Sequence, residues 1–291
     1  MEVHEVHPSF AAEVTGVDLG MPLDQPTVAA IDAAINKHGV LVFPGQVLNN
    51  DTQAEFARHF GELEVSSQVY RSENKHRIES RAIVDVSNLN EKNETRGRDD
   101  RRRLEQISNM LWHSDASFRP VVGALSMLYA YAVAPSGGET EFADLRSAYE
   151  DLSPDFKAQI DNLVVEHVYG HSRTQLGFPS FSEEERKALP PVQHPLVRTN
   201  PLNGRKSLYL GSHASHIIGW PVPEGRLLLL DLLEHATQRK YVYSHVWKVG
   251  DLVIWDNRCT LHRGRRFDES FPRDLRRVTT RDNPQPLEKA G

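Results

Sequence analysis

Three side chains in this sequence have the chemistry to share one metal ion. In His113-Ser114-Asp115 an imidazole and a carboxylate stand two positions apart. Along a strand, residues i and i+2 point to the same face, so both groups can converge on one point. A mixed nitrogen and oxygen donor set suits Fe(II). A third donor has to come from elsewhere, and His262 is the candidate. It follows a strand predicted at 252–256 through a short loop, 149 residues beyond His113. Such a set leaves three positions open on the metal, enough for a bidentate 2-oxo acid and O2. An H-x-D pair alone is common by chance, so its surroundings have to discriminate.

Those surroundings are basic. Arg263, Arg265, Arg266, Arg273, Arg276 and Arg277 put six arginines into fifteen residues after His262. A solvated face or a nucleic-acid patch would use them. A dicarboxylate such as 2-oxoglutarate uses them more specifically: its distal carboxylate needs a guanidinium fork, and an acidic substrate needs a second. Among the other histidines, His213 and His216 are three apart. That spacing could make a zinc pair on a helix, but Gly211 and the strand before it point to a loop. His167, His235 and His245 read as structural.

The elements that must position these groups follow from period and punctuation. Asp24 and Pro26 open a helix with Val28, Ile31 and Ile35 on one face. Val40–Phe43 is a buried strand stopped by Pro44-Gly45, and Asn50 or Asp51 caps a second helix carrying Phe56 and Phe60. From Glu91 to Gln106, eleven of sixteen residues are charged. This composition reads as a solvated loop, or as part of a lid over 66–106 that leads into the H-x-D pair. Leu125, Met127, Tyr129, Tyr131 and Val133 alternate with smaller residues, and further strands are predicted at 164–169, 207–210, 241–247 and 252–256. Helices are predicted at 144–152, from Ser153-Pro154, and after Pro223. Many short strands with peripheral helices predict a mainly β fold, a sandwich or jelly-roll barrel. No glycine fingerprint follows an early strand, which argues against a Rossmann fold.

With 291 residues, no repeat and no Gly/Ser linker, the chain reads as one domain, 1–291. A net charge of −6 argues against a protein built to wrap nucleic acid. The lone Cys259 excludes an internal disulfide and a cysteine-built metal site. The start, MEVHEVHPSF, has no secretory pattern, and the apolar run at 227–230 is broken by Asp231 and too short to span a bilayer. The expectation is a cytoplasmic protein with no membrane and no nucleic-acid partner.

Five segments carry a specific resemblance: LWHSDASF at 111–118, PSGGETEF at 135–142, GSHASHIIG at 211–219, EGRLLLLDLLEHATQ at 224–238 and VGDLVIWDNRCTLHRGRR at 249–266. Together they resemble the Fe(II)/2-oxoglutarate-dependent dioxygenases of the taurine dioxygenase family, over nearly the whole chain. Within it they are most similar to the phenoxyalkanoate (2,4-dichlorophenoxyacetate) group. The resemblance implies a double-stranded β-helix, a jelly roll with helices outside. It implies Fe(II), 2-oxoglutarate and O2, with His113, Asp115 and His262 as the iron ligands and catalytic centre. Thr140 and Arg273, respectively 27 residues after His113 and eleven after His262, would hold the distal carboxylate of 2-oxoglutarate, and Trp255 would line its pocket. Arg277, fifteen after His262, would bind the substrate's acid group; strand alternation sends only one of Arg276 and Arg277 inward. Asn109 would lie beside the substrate. The 211–219 loop falls near the substrate end, where His213 or His216 either contacts the acid or its ring, or simply packs.

The implied reaction is hydroxylation of a small acid such as 2,4-dichlorophenoxyacetate, giving the phenol, glyoxylate, succinate and CO2, in a homo-oligomer. The alternatives are the same chemistry on taurine, another sulfonate or another carboxylate, and a non-catalytic metal-binding jelly roll that senses a small acid. Two places depart from the family pattern, the stretch 68–81 and Asn200, where His stands in a herbicide enzyme. Both bear on which acid is bound and leave the iron site untouched.

Overall fold

The structure is a computed structural model and describes residues 1–65, 77–178 and 183–282. Its helix ends follow local hydrogen-bond chemistry. Asp24 accepts from Thr27 N–H at 2.9 Å, Pro26 lies in the first turn, and helix Gln25–His38 follows. It stops at Gly39, whose φ is 72° and whose added Cβ would come 2.7 Å from Arg146 Nη2. The second helix, Asn50–Arg58, is capped one residue earlier than expected. The Asn49 side chain accepts from the Asp51 and Thr52 N–H groups, and Thr52 Oγ1 accepts from Asn49 N–H.

Seven strands form a large sheet in the order Glu2–Glu5, Ala12–Thr15, Val40–Phe43, Leu252–Asp256, Gly123–Ala132, Asp274–Arg281, Val84–Ser87. Alternation divides their side chains between two cores. Leu41, Phe43, Met127, Leu252 and Ile254 cluster with Ile31, Ile35 and Phe56 of the two helices. Val40, Val42, Leu128, Val253, Trp255 and Leu275 cluster instead with Phe142 and Trp247. Phe142 belongs to a three-stranded sheet of order Val242–His245, Thr140–Asp144, Thr260–Gly264, which therefore covers the inner face of the large one. The next residues along that sheet, Ala143 and Leu261, join an outer core with Leu228, Leu229 and Leu232 of helix Val222–Ala236. The protein is mainly strands, with helices on the outside. The alternation expected over 125–133 holds through Tyr131; Val133 lies past the strand and packs into the inner core.

One expectation changes. Residues 91–106 are neither a plain loop nor wholly solvated. Asp100 caps helix Arg101–Ile107, Arg96 pairs with Asp100 at 3.2 Å, Arg102 with Asp85 at 3.5 Å, and Arg103 with Glu269. The charges are there for partners, some of them far along the chain. Of the lid expected at 66–106, residues 66–76 lie outside those described, as does most of the divergent stretch 68–81. Arg77, at its end, is buried and bridges Asp85 at 2.9 Å and Asp274 at 2.6 Å. Among the described residues no helix is long and apolar enough to cross a membrane.

Ile31 is wholly buried on the helix-facing side of the large sheet. Ile31→Ala is expected to cost about 2–5 kcal/mol of unfolding free energy in a urea titration, without altering what the inner face binds.

Candidate active site

The H-x-D pair is not held in a strand, contrary to expectation. His113 makes a single bridge to His262: its N–H donates to His262 O at 3.0 Å, and His262 N–H donates back to His113 O at 2.9 Å. Asp115 lies in the turn that follows, next to Ala116 at φ 56°. The bridge and the turn, rather than a two-residue repeat, bring the groups together. The imidazole centroids are 4.1 Å apart. His113 Nε2 is 4.0 Å from Asp115 Oδ1, and His262 Nε2 is 3.7 Å from Asp115 Oδ2. One donor atom from each residue lies within 4.8 Å of the other two, and all three residues are buried. His113 Nδ1 is 2.8 Å from Leu111 O; a carbonyl only accepts, so Nδ1 carries the proton and the Nε2 lone pair is left for a metal.

Protonation states suit that role. Burial pushes both His113 and His262 below the ordinary imidazole value, so each is neutral at pH 7. Burial alone would raise Asp115, but Arg277 and the two imidazoles together outweigh it and hold the carboxyl at about 2. Arg277 Nη1 donates to Asp115 Oδ1, and Ser126 Oγ donates to Oδ2 at 2.7 Å. Two neutral nitrogens and one carboxylate fit a divalent, borderline-soft ion.

Behind the triad lies the second set of predicted residues. Arg273 is half-buried; one Nη donates to Gly138 O at 3.0 Å, and the guanidinium lies over Phe267. Gly138 has φ 73°, and a Cβ there would sit 3.1 Å from Arg273 Nε. Burial pulls the Arg273 pKa down to about 10, against a weaker opposing pull from Glu139, and no carboxylate among the described residues is in ion-pair contact with it. A partly desolvated cation with no carboxylate in contact is a place for an anion. Thr140, buried, accepts from Trp247 Nε1 at 2.9 Å. Trp255 packs on the His262 ring with centroids 4.6 Å apart.

The other predicted residues divide. Asn109, His213 and Arg277 join His113 and Asp115 in lining a cavity of about 570 Å³. Arg276 points the other way, its Cζ 3.9 Å from the Tyr131 ring centroid and its Nη2 3.0 Å from Asp274, as alternation requires. His213 sits among Phe118 and Tyr169, with centroids 4.9 Å and 6.0 Å away. Its Nδ1 is buried without a partner among the described residues, and burial drives its pKa down to about 3. The expected loop at 213–216 is in fact the entry to strand Ala214–Ile217. His216 does not line the cavity; it bonds Ser215 Oγ at 3.0 Å and lies 3.6 Å from Glu166. Asn200 is also away from the cavity, in the turn joining strands Val197–Thr199 and Lys206–Leu208, where its side chain accepts from Leu202 N–H. Its departure from the family pattern therefore does not touch the cavity wall.

Sequence reasoning missed most of the charged residues that line the cavity, Arg173 and Glu64 among them. Arg173 lies over Tyr169, 4.4 Å from the ring centroid, with no counter-ion among the described residues. The i,i+4 spacing of Tyr169 and Arg173 was the available signal. Glu64 pairs with Arg119 at 2.8 Å, and burial raises its carboxyl; nothing in its neighbourhood along the chain marks it.

A buried pair of neutral imidazoles and a carboxylate beside a cavity is the donor set of mononuclear non-haem oxygenases. Residues 2–279 match the family described as "Taurine catabolism dioxygenase TauD, TfdA family", and the chain belongs to that family. It is 48% identical over 278 residues to the alpha-ketoglutarate-dependent 2,4-dichlorophenoxyacetate dioxygenase of Cupriavidus pinatubonensis, covering 96% of each chain. It is 35% identical over 277 residues to the (S)-phenoxypropionate/alpha-ketoglutarate-dioxygenase of Delftia acidovorans, covering 91% of this chain and 89% of that one. Among solved structures, AAD-2 in complex with Mn(II) and N-oxalylglycine superposes with a TM-score of 0.93 at 44% identity, covering 99% of this chain and 100% of that one.

His113, His167, His213 and His262 are all held below the ordinary value of 6.5, chiefly by burial. Below about pH 6.5 the unfolded chain therefore binds protons that the folded chain refuses. The stability they contribute is complete above that pH and is lost as pH falls, by up to about 1.4 kcal/mol per pH unit for each. The melting temperature of the metal-free protein is expected to drop steeply between about pH 6.5 and 4.5, with a shallower drop in His213→Asn. A flat profile in both would contradict burial of neutral rings.

Proposed function

We propose that the chain is an Fe(II)- and 2-oxoglutarate-dependent dioxygenase that hydroxylates an aryloxyalkanoic acid such as 2,4-dichlorophenoxyacetate. The observation that carries this reading is the buried His113–Asp115–His262 group at a cavity that Arg277 also lines, together with the half-buried Arg273, which has no carboxylate in contact among the described residues. The names of the relatives support the substrate class. So does the cavity wall, where Val84, Val86, Phe118, Tyr169 and Leu189 suit an aromatic ring better than the short chain of taurine. The fold in this reading is a double-stranded β-helix whose two layers are the large and three-stranded sheets, in a cytoplasmic homo-oligomer.

Iron held by His113, Asp115 and His262 would supply the oxidising chemistry with O2. The chain's own groups bind and orient. Arg273 and Thr140 take the distal carboxylate of 2-oxoglutarate, a charge-assisted contact. Trp255 flanks that pocket and steadies the His262 ring. Arg277 takes the acid group of the substrate, with Asn109 and His213 beside it, and the apolar wall excludes water from the reacting carbon. In the overall balance, one atom of O2 ends in succinate as CO2 leaves 2-oxoglutarate. The other ends on the carbon between the ether oxygen and the carboxylate. The hemiacetal so formed collapses to a phenol and glyoxylate.

The test is anaerobic reconstitution with Fe(II) and 2-oxoglutarate, then exposure to O2 with 2,4-dichlorophenoxyacetate or taurine. Phenol released in step with succinate is the expected result. Succinate with taurine alone would move the protein to the sulfonate reading, and none above the blank with either acid would count against catalysis by the triad. Arg273→Ala is expected to raise the KM for 2-oxoglutarate at least about thirtyfold, or ~2 kcal/mol, while Mn(II) binding at the triad persists.

A further inference from the structure

Asn257 is fully buried just after strand Leu252–Asp256, where its own N–H donates to Ala124 O at 2.8 Å. Its amide oxygen accepts from Asp115 N–H at 3.0 Å and from Trp255 Nε1–H at 3.0 Å. A backbone N–H and an indole N–H can only donate, so the atom between them is the oxygen and the amide nitrogen faces away. There Nδ2 is 2.9 Å from Ser126 Oγ. Ser126 must therefore accept from Asn257, and its single proton is left for Asp115 Oδ2, 2.7 Å off. Thr279 Oγ1, 3.0 Å from Ser126 Oγ, must in turn donate to it. The bonds thus run from Asn257 to Ser126 to Asp115, and no other direction satisfies all the partners.

From this network we infer that Asn257 is a positioning residue for the metal site, acting through Ser126 to set the turn of the Asp115 carboxylate. The same amide holds the Trp255 ring that packs against His262, so one buried side chain orients two of the three metal-ligand candidates. Without the Ser126 proton, Arg277 is the remaining side-chain donor on Asp115 among the described residues, and the carboxylate turns toward it. The inference rests on reading the triad as a metal site.

The test is Mn(II) titration of the full-length chain by calorimetry, with no cosubstrate or acid present and melting temperatures measured alongside. Ser126→Ala and Asn257→Ala are each expected to weaken Mn(II) binding by about ten- to hundredfold. The double variant should bind no more weakly than Asn257→Ala, because both changes cut one chain of bonds. Ser114→Ala is the control. Ser114 Oγ donates to Asn257 O at 2.7 Å, a buried bond of the same kind that is not on the path to the carboxylate. It should lower the melting temperature and change affinity by less than about twofold. Parental affinity in Ser126→Ala, or an equal loss in Ser114→Ala, would overturn the inference. If Asn257→Ala fails to fold, Ser126→Ala decides alone. Failure of the metal-site reading looks different: the parent chain would then show no Mn(II) binding that Asp115→Ala removes.

Discussion

The site depends on two backbone hydrogen bonds that run in opposite directions between His113 and His262, at 3.0 Å and 2.9 Å. They join segments 149 residues apart and put two imidazoles 4.1 Å from each other. Neighbouring contacts reinforce the same seam. Ser212 N–H donates to Trp112 O at 2.8 Å, and Val168 N–H donates to His213 O at 2.8 Å, so a second three-stranded sheet, of order Ala214–Ile217, Val164–His167, Val192–Pro195, is tied to it as well. His213 reaches the cavity for that reason. Moving the bridge would move two metal-ligand candidates, the His213 wall and the Trp255 packing together.

Burial of charge is the second constraint. The inner face of the large sheet carries Ser126, Arg277 and Thr279 among residues such as Leu128 and Val253. Polar groups in such a place are costly unless every donor finds an acceptor. Asp115 meets the condition through Ser126 and Arg277. Elsewhere Arg146 pairs with Asp144 at 2.7 Å and Arg258 with Asp256 at 2.8 Å. Arg273 stands apart from these pairs, a half-buried cation that among the described residues touches a carbonyl and a ring face but no carboxylate. The fold thus completes most of its own charge pairs around one metal-sized cluster and leaves Arg273 and the cavity's Arg173 without a carboxylate in contact among the described residues.

Much of this was legible in the chain. Helix Gln25–His38 was, because its cap, its proline and its terminating glycine all act within a few residues. The division of strand Val40–Phe43 between two cores was implicit in alternation. Reading stopped where partners are distant or locally degenerate. Asn49, Asn50 and Asp51 can all cap a helix, and geometry chose Asn49. Residues 91–106 look solvated by composition, yet Arg103 reaches Glu269 and Arg102 reaches Asp85. His213 and His216 have the same local prospects, but the start of a short strand puts one against the cavity and the other beside Glu166.

The sequence by itself determined which residue types were available, their alternation, the helix boundaries set by short-range caps, and the motifs that place the chain in its family. Those properties act over one to four residues, the range of a turn or a pleat. The tertiary structure decided that His113 and Asp115 converge through a bridge and a turn, that Arg277 lies on Asp115 while Arg276 lies on Tyr131, and that Arg273 has no carboxylate in contact among the described residues. It also decided the direction of every bond around Ser126. Each of these joins groups more than a hundred residues apart or depends on which donors remain once such contacts form. No local preference encodes them, because their energies exist only after the two sheets have closed on each other.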